Sequence, residues 1–252
     1  MFSAGIIGCG YVACEAPDSH AQAYMDCPST ELICFIDTDK DKALAAYRKY
    51  RITHFTFDEG TGFDSVGKFA TKFDIASICT PTGDGRFMTR LHRVWDAIKT
   101  HGVKAIYLEK PIAASLGEAE AIISCCRENN VLLVVNHQRQ FINPKFTFSR
   151  GILHTGTHAF DLIRQLFGEV MLLAKNYCIT ENGLTIELEY KDTDERCFEL
   201  DCTRSKERMI LKGVEHIVEC LNSHDINQDS GISAKRDLQL CLEYERILNN
   251  AK

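Results

Sequence analysis

The sequence predicts an α/β domain with a doubly wound parallel sheet, followed by a smaller, mostly antiparallel α+β domain. Three observations carry this. Short apolar runs alternate with helix-length segments through the first half of the chain. A glycine motif directly follows the first of those runs. From about residue 170 the rhythm changes to strand after strand. The 252 residues suffice for two modest domains with their own cores.

The runs AGIIG (4–8), ELICFI (31–36), DIASIC (74–79), KAIYL (104–108) and VLLVV (131–135) read as strands. They are continuously apolar, as a sheet covered on both faces requires. Helices are expected over 39–49, 87–100 and 115–128. The second places Met88, Leu91, Val94, Trp95 and Ile98 on one stripe. The third opens on Ser115 with Glu118 three residues later, a capping box. A strand–helix alternation of this kind predicts right-handed crossovers and a parallel sheet.

In the second half, MLLAKNYCIT leads into Glu181-Asn182-Gly183, a hairpin signal, and LTIELEY then alternates apolar and polar residues. RCFELDCT, ERMILKG and HIVECL extend the strand pattern. A final helix is expected over 233–249, with Leu238, Cys241, Leu242 and Leu248 on one stripe. The βα rhythm breaks at 137–150, which predicts domains 1–137 and 138–252.

Composition excludes several classes. The chain is 45% hydrophobic and 25% charged, so it is not a disordered polymer. A net charge of −6 argues against nucleic acid or anionic membrane as partner. No apolar run is long enough to span a bilayer, and the N-terminal segment lacks a basic leader. Twelve cysteines without a C-x-x-C pair read as buried, reduced thiols of a cytoplasmic protein and not as a metal site.

Gly8-Cys9-Gly10-Tyr11-Val12-Ala13 matches G-x-G-x-x-A between a strand and a helix-length segment. In that context Gly8 makes the tight turn and Gly10 leaves room for a pyrophosphate. Ala13 allows close helix–strand packing. Asp37 closes the second strand, where a carboxylate can accept from ribose hydroxyls or cap the next helix. It lies further from the motif than the roughly 20 residues usual in such units. Thr38 and Asp39 follow it with no adjacent Arg or Lys, which favours NAD over NADP.

Three further segments end strands or open the second half. They are Cys79-Thr80-Pro81-Thr82, Glu109-Lys110-Pro111, and Gly156-Thr157-His158-Ala159-Phe160-Asp161-Leu162 with Leu166-Phe167-Gly168. Together with Asn136-His137-Gln138-Arg139-Gln140-Phe141 and the glycine motif, they make the chain resemble the Gfo/Idh/MocA oxidoreductases. The resemblance implies a Rossmann domain and an antiparallel substrate domain that pairs copies of the chain. It implies hydride transfer between NAD and a secondary hydroxyl of a sugar, inositol or nucleotide sugar. Lys110 falls on that family's active-site lysine and His158 on its catalytic histidine. Thr80-Pro81 falls on the turn along the dinucleotide and Gln138 on a cofactor neighbour. Tyr11, Val12 and Glu109 join the expected cofactor set, and the Lys110–Pro111 bond is expected to be cis. Histidine titrates near neutrality, and a lysine ammonium can polarise the same oxygen. Asp161, three residues on, shares a helix face with His158; it orients the imidazole or occupies a polar face.

The chain also departs from that pattern. His154 stands where relatives often carry Asp, so an expected fixed carboxylate is missing from the catalytic set. The substrate domain is shorter than in relatives, with an apparent jump at Phe148–Gly151. These departures keep open a second reading, a dinucleotide-binding sensor or scaffold with little catalysis. A reductase of C=C or C=N bonds is a third, and Lys110 with His158 speaks against it.

Overall fold

The computed structural model describes residues 1–57, 71–82, 89–136, 172–180, 183–190, 197–198, 208–227 and 229–250. Six parallel strands form the first sheet: β1 Phe2–Ile7, β2 Thr30–Asp37, β3 His54–Phe57, β4 Ile75–Ile78, β5 Ala105–Glu109 and β6 Leu132–Asn136. Their order is β3-β2-β1-β4-β5-β6, the doubly wound Rossmann arrangement. The runs are apolar because helices cover both faces; β4, β5 and β6 are buried throughout. Strand β3 lies outside the sequence expectation, since its four residues form an edge strand with little apolar signal.

The helices are α1 His20–Asp26, α2 Lys40–Tyr50, α3 Thr89–Asp96, α4 Leu116–Glu128, α5 Met209–Ser223 and α6 Asp229–Asn250. A five-residue wide turn of helix, Tyr11–Glu15, follows the glycine motif. Pro17 then interrupts, and α1 restarts with the Ser19 hydroxyl accepting from Gln22 N at 3.2 Å. α3 continues as a wide turn, Ala97–His101, and stops at Gly102 with φ +71.

On α4, Ser115 Oγ accepts from Glu118 N at 3.2 Å, the first half of the expected capping box. The Glu118 carboxylate goes elsewhere. It is buried and accepts from Arg90 N at 3.1 Å, Leu91 N at 3.3 Å and Ala114 N at 3.3 Å. One acid thus serves the first turn of α3, where N–H groups lack intrahelical partners, and ties down the residue just before the N-cap of α4.

The segment 208–220 is not strand. It forms α5, whose buried residues Met209, Ile210, Val214, Ile217, Val218 and Cys220 recur at helical spacing and face α1, β5 and β6. Their β-branched side chains suggested strands, but intervals of three and four are the better guide. A side chain at Gly213 would overlap the Tyr107 hydroxyl, so glycine lets α5 lie against β5. The α5 start is set from far away in sequence. Asp18 Oδ2 accepts from Ile210 N at 2.9 Å, and Arg208 pairs with Asp26 and Asp18.

The chain divides into two compact units, Met1–Asn136 with Arg208–Ile232, and His137–Glu207 with Ser233–Lys252. The first break falls where the βα rhythm ends. Residues 208–232, expected in the second domain, return to the first because α5 buries its apolar face there. α6 starts at Asp229, four residues before the expected Ser233, and its Ser230 Oγ accepts from Val135 N at 2.8 Å.

In the second unit, β7 Leu172–Thr180 and β8 Gly183–Tyr190 pair antiparallel, from Leu172 opposite Tyr190 to Thr180 opposite Gly183. β9 Cys197–Phe198 pairs with β8.

Candidate active site

In a doubly wound sheet the crevice opens beyond the carboxyl ends of the strands where the chain reverses direction, here between β1 and β4. Two turns meet there. Gly8 leaves β1 with φ +92, and a Cβ on it would stand 3.0 Å from the Cys79 carbonyl carbon and from Thr80 N. Only glycine combines that φ with that approach. Its N–H donates to Ile36 O at 2.8 Å, while Cys79 N donates to Ile7 O at 2.8 Å. A Cβ at Gly10 would meet nothing within 4 Å, so its backbone borders open space.

Asp37 holds this corner together. Its Oδ2 accepts from Cys9 N at 2.6 Å and its Oδ1 from Asp39 N at 2.8 Å. It is not the cap of α2, because Asp39 takes that role through Asp41 N and Lys42 N. A cleft of about 330 Å³ opens beside it, lined by Gly8, Gly10, Asp37, Thr38, Thr80 and Pro81 among others. Lys42, from the first turn of α2, and Arg93 add positive charge to the wall. The Thr80 hydroxyl is buried and makes no hydrogen bond within the described chain. A glycine-lined gap, a carboxylate, an unsatisfied hydroxyl and two cations suit a dinucleotide: backbone and cations for the pyrophosphate, Asp37 for ribose hydroxyls.

The next strand along, β5, ends in Glu109, and the Lys110–Pro111 bond after it is cis. Arg90 joins this turn to the cleft. The buried guanidinium donates to Thr80 O at 2.8 Å through Nη2 and 3.1 Å through Nε, and through Nη1 to the carbonyls of Glu109 and Pro111. Burial draws Arg90 down to about 10, with the Glu109 charge acting the other way. A cation at the carbonyl ends of two adjacent strands fixes the Thr80 turn and the Lys110 turn to each other.

Glu109 turns its carboxylate inward. Oε1 accepts from His20 Nε2 at 2.9 Å and from Asn136 Nδ2. Burial alone would raise its pKa. Bonds from His20 and Asn136 and the charges of His20 and Lys110 outweigh it, so the carboxyl sits below its ordinary range. Cys79, beside the cleft, is pushed well up by burial and stays a thiol. Cys9 is raised chiefly by its hydrogen bond with Cys14, then by burial.

Of the residues singled out from sequence, Gly8, Gly10, Asp37, Thr80 and Pro81 therefore converge on one cleft. Tyr11 and Val12 are exposed on the short helix that follows. Lys110 is half-buried on the neighbouring strand end, and Glu109 faces the interior. Gln138, His154, His158 and Asp161 lie outside the described residues. Sequence reasoning missed His20, Arg90 and the partner role of Asn136. Arg90 carries one signal, a charge on the otherwise apolar face of a strongly amphipathic helix.

The profile of the Gfo/Idh/MocA family, described as an oxidoreductase family with an NAD-binding Rossmann fold, matches residues 2–137. The chain belongs to the Gfo/Idh/MocA oxidoreductase family. An uncharacterized oxidoreductase of Streptococcus pneumoniae is 28% identical over 187 residues, 73% of this chain and 41% of that protein. D-apiose dehydrogenase of Paraburkholderia graminis is 26% identical over 135 residues, 54% of this chain and 32% of that protein. The chain thus aligns with less than half the length of these curated relatives. A crystal structure of a putative myo-inositol dehydrogenase from Sinorhizobium meliloti shares the fold, with a TM-score of 0.69 and 16% identity over 100% of this chain and 98% of that one. The NAD-binding domain of this family is therefore the part built by β1–β6. No described helix is long and apolar enough to cross a membrane.

Proposed function

We propose that this Gfo/Idh/MocA protein is an NAD-dependent dehydrogenase acting on a secondary hydroxyl of a sugar, inositol or nucleotide sugar. The supporting observation is the Arg90 clamp, which ties the cleft-lining Thr80 turn to the turn that carries Lys110. Gly8 and Gly10 would border the pyrophosphate, Asp37 would accept the adenosine ribose hydroxyls, and the Thr80 hydroxyl would find its partner on the dinucleotide. The Asp37 carboxylate repels a ribose 2′-phosphate, which favours NAD over NADP. When bound, NAD supplies the carbon that accepts or returns hydride.

The chain supplies the rest. Lys110 hydrogen-bonds the substrate oxygen and stabilises negative charge developing on it. His158 is the proposed acid–base group, with Asp161 to orient it and His154 beside it in place of a carboxylate. The second unit is the proposed substrate domain, and its antiparallel sheet the proposed face for pairing copies. A polyol substrate is supported by the names of the D-apiose and myo-inositol relatives.

The test follows NADH formation by absorbance with a panel of polyols, aldoses and UDP-sugars. Turnover of a panel member is expected. Tight NAD binding with no turnover on any member would overturn the reading and favour a dinucleotide sensor or scaffold.

A further inference from the structure

The two cations on the cleft wall are held differently. Arg93 lies three residues, about one turn, beyond Arg90 on α3 and pairs with Asp96 through Nη1 at 3.6 Å. The two side chains are only 21% and 18% exposed. Lys42, on the first turn of α2, stands 3.8 Å from Asp39, and its side chain is 59% exposed. Lys42 is thus a solvated point charge, the form suited to phosphate oxygens. Arg93 is largely buried and its charge is answered by Asp96, so it offers a phosphate less. Pairing through Nη1 engages the edge of the guanidinium, and the flat faces of that group are what stack on rings.

With Gly8 and Gly10 at the pyrophosphate and Asp37 at the ribose, the lining side chains left for the base are Thr38, Lys42, Pro81 and Arg93. Lys42 and Arg93 only donate hydrogen bonds, and none of the four is a carboxylate. Both Asp37 oxygens already accept main-chain N–H groups, from Cys9 and Asp39. A purine 6-amino group is a donor and finds no carboxylate among these four. A 6-oxo group is an acceptor and finds two cationic donors. The described wall is therefore suited to the flat face of a base and its acceptor nitrogens, and not to an amino group at position 6.

We propose that Arg93 binds the purine base of the dinucleotide through the face of its guanidinium, with Asp96 positioning it, and that the site takes hypoxanthine as readily as adenine. The inference rests on the cleft holding the dinucleotide. It divides the two cations, Lys42 toward the pyrophosphate and Arg93 toward the base, and it names the group that selects a purine. A purine presents a larger ring face than a pyrimidine, so a stacked guanidinium favours it. Pro81, from the strand end that precedes α3, adds apolar surface to the same cleft.

The test reads binding and not turnover, so its failure is distinct from failure of the dehydrogenase reading. The full chain is titrated calorimetrically with NAD and with its analogues carrying hypoxanthine or cytosine in place of adenine. Wild type is expected to bind the hypoxanthine dinucleotide within about threefold of NAD, or tighter, and the cytosine one more weakly. Arg93→Ala is expected to weaken the two purine dinucleotides by about fivefold or more, the scale of a cation–ring contact, and the cytosine one by less than about twofold. Equal weakening of all three overturns the proposal, since it marks a phosphate or purely structural role. Unchanged NAD binding in Arg93→Ala overturns it, as does a wild type that rejects hypoxanthine. A wild type that binds no NAD overturns the proposal and the cofactor assignment together. Should Arg93→Ala not fold, Arg93→Lys decides. It keeps the charge beside Asp96 and loses the planar face, and the same selective loss on purines is expected at smaller size. Uniform binding of all three by Arg93→Lys, at wild-type strength, overturns the proposal.

Discussion

The carboxylate of Asp37 accepts the main-chain N–H of Cys9 at 2.6 Å, so the residue that closes β2 also fixes the glycine turn that closes β1. Preorganisation of this corner does not depend on a ligand. The same acid has one duty toward the fold and one toward the dinucleotide.

Asp37→Ala removes both. A hydrogen bond to a charged partner is worth about 1.5–3 kcal/mol. NAD affinity is expected to fall at least about tenfold by isothermal titration, since about 1.4 kcal/mol corresponds to a factor of ten. Urea unfolding is expected to show a loss of about 1–2 kcal/mol from the unmet Cys9 N–H. Unchanged values in both measurements contradict the assignment.

Gly8→Ala places a Cβ 3.0 Å from the Cys79–Thr80 backbone at φ +92. Strain of this kind costs about 1–3 kcal/mol. Denaturant midpoints report the loss, and NAD binding is expected to weaken with it. At Gly10 the space is open in the protein alone, so Gly10→Ala is expected to leave stability nearly unchanged while weakening NAD.

How much of this was legible in the sequence depends on the range of the interaction. Strands β1, β2, β4, β5 and β6 are short apolar runs, and the glycine turn and Asp37 follow from local spacing. Strand β3, with four residues at an edge, carries too few apolar positions. α5 reads as strand because Ile and Val favour strands locally, while the groove it fills is made by α1, β5 and β6. His20 and Glu109 meet across 89 positions, and Arg90 reaches carbonyls that carry no side-chain signal. Contacts of that kind are set by topology and not by any local pattern.

Gly213→Ala checks the α5 correction. In an exposed helix this change stabilises by about 1 kcal/mol. Here the added methyl overlaps Tyr107, so the sign reverses, with a loss of about 1–3 kcal/mol typical of overpacking. Tyr107→Leu in the same chain is expected to recover part of it. A stabilised single variant would contradict the packing of α5 on β5.

Acid stability reports on Glu109. Its folded pKa is lowered from an ordinary value of 4.5, so the folded state binds fewer protons than the unfolded chain as pH falls through that value. The stabilisation is complete above the unfolded value and is lost as pH falls from 4.5 toward the lower folded one. Glu109→Gln is expected to lower stability at neutral pH and to flatten this acid limb. Asp26 and Asp74 are also lowered, so a residual slope remains. Identical slopes in urea melts of wild type and variant at a series of pH values would rule out an ionised, internally bonded Glu109.

The most direct measurement compares Lys110→Met with wild type on the best substrate of the panel, recording kcat by NADH formation and Kd for NAD by titration. The account predicts that kcat falls by about a hundredfold or more, in the range of a lost oxyanion donor, while Kd changes by less than about threefold. Full turnover in Lys110→Met would contradict it.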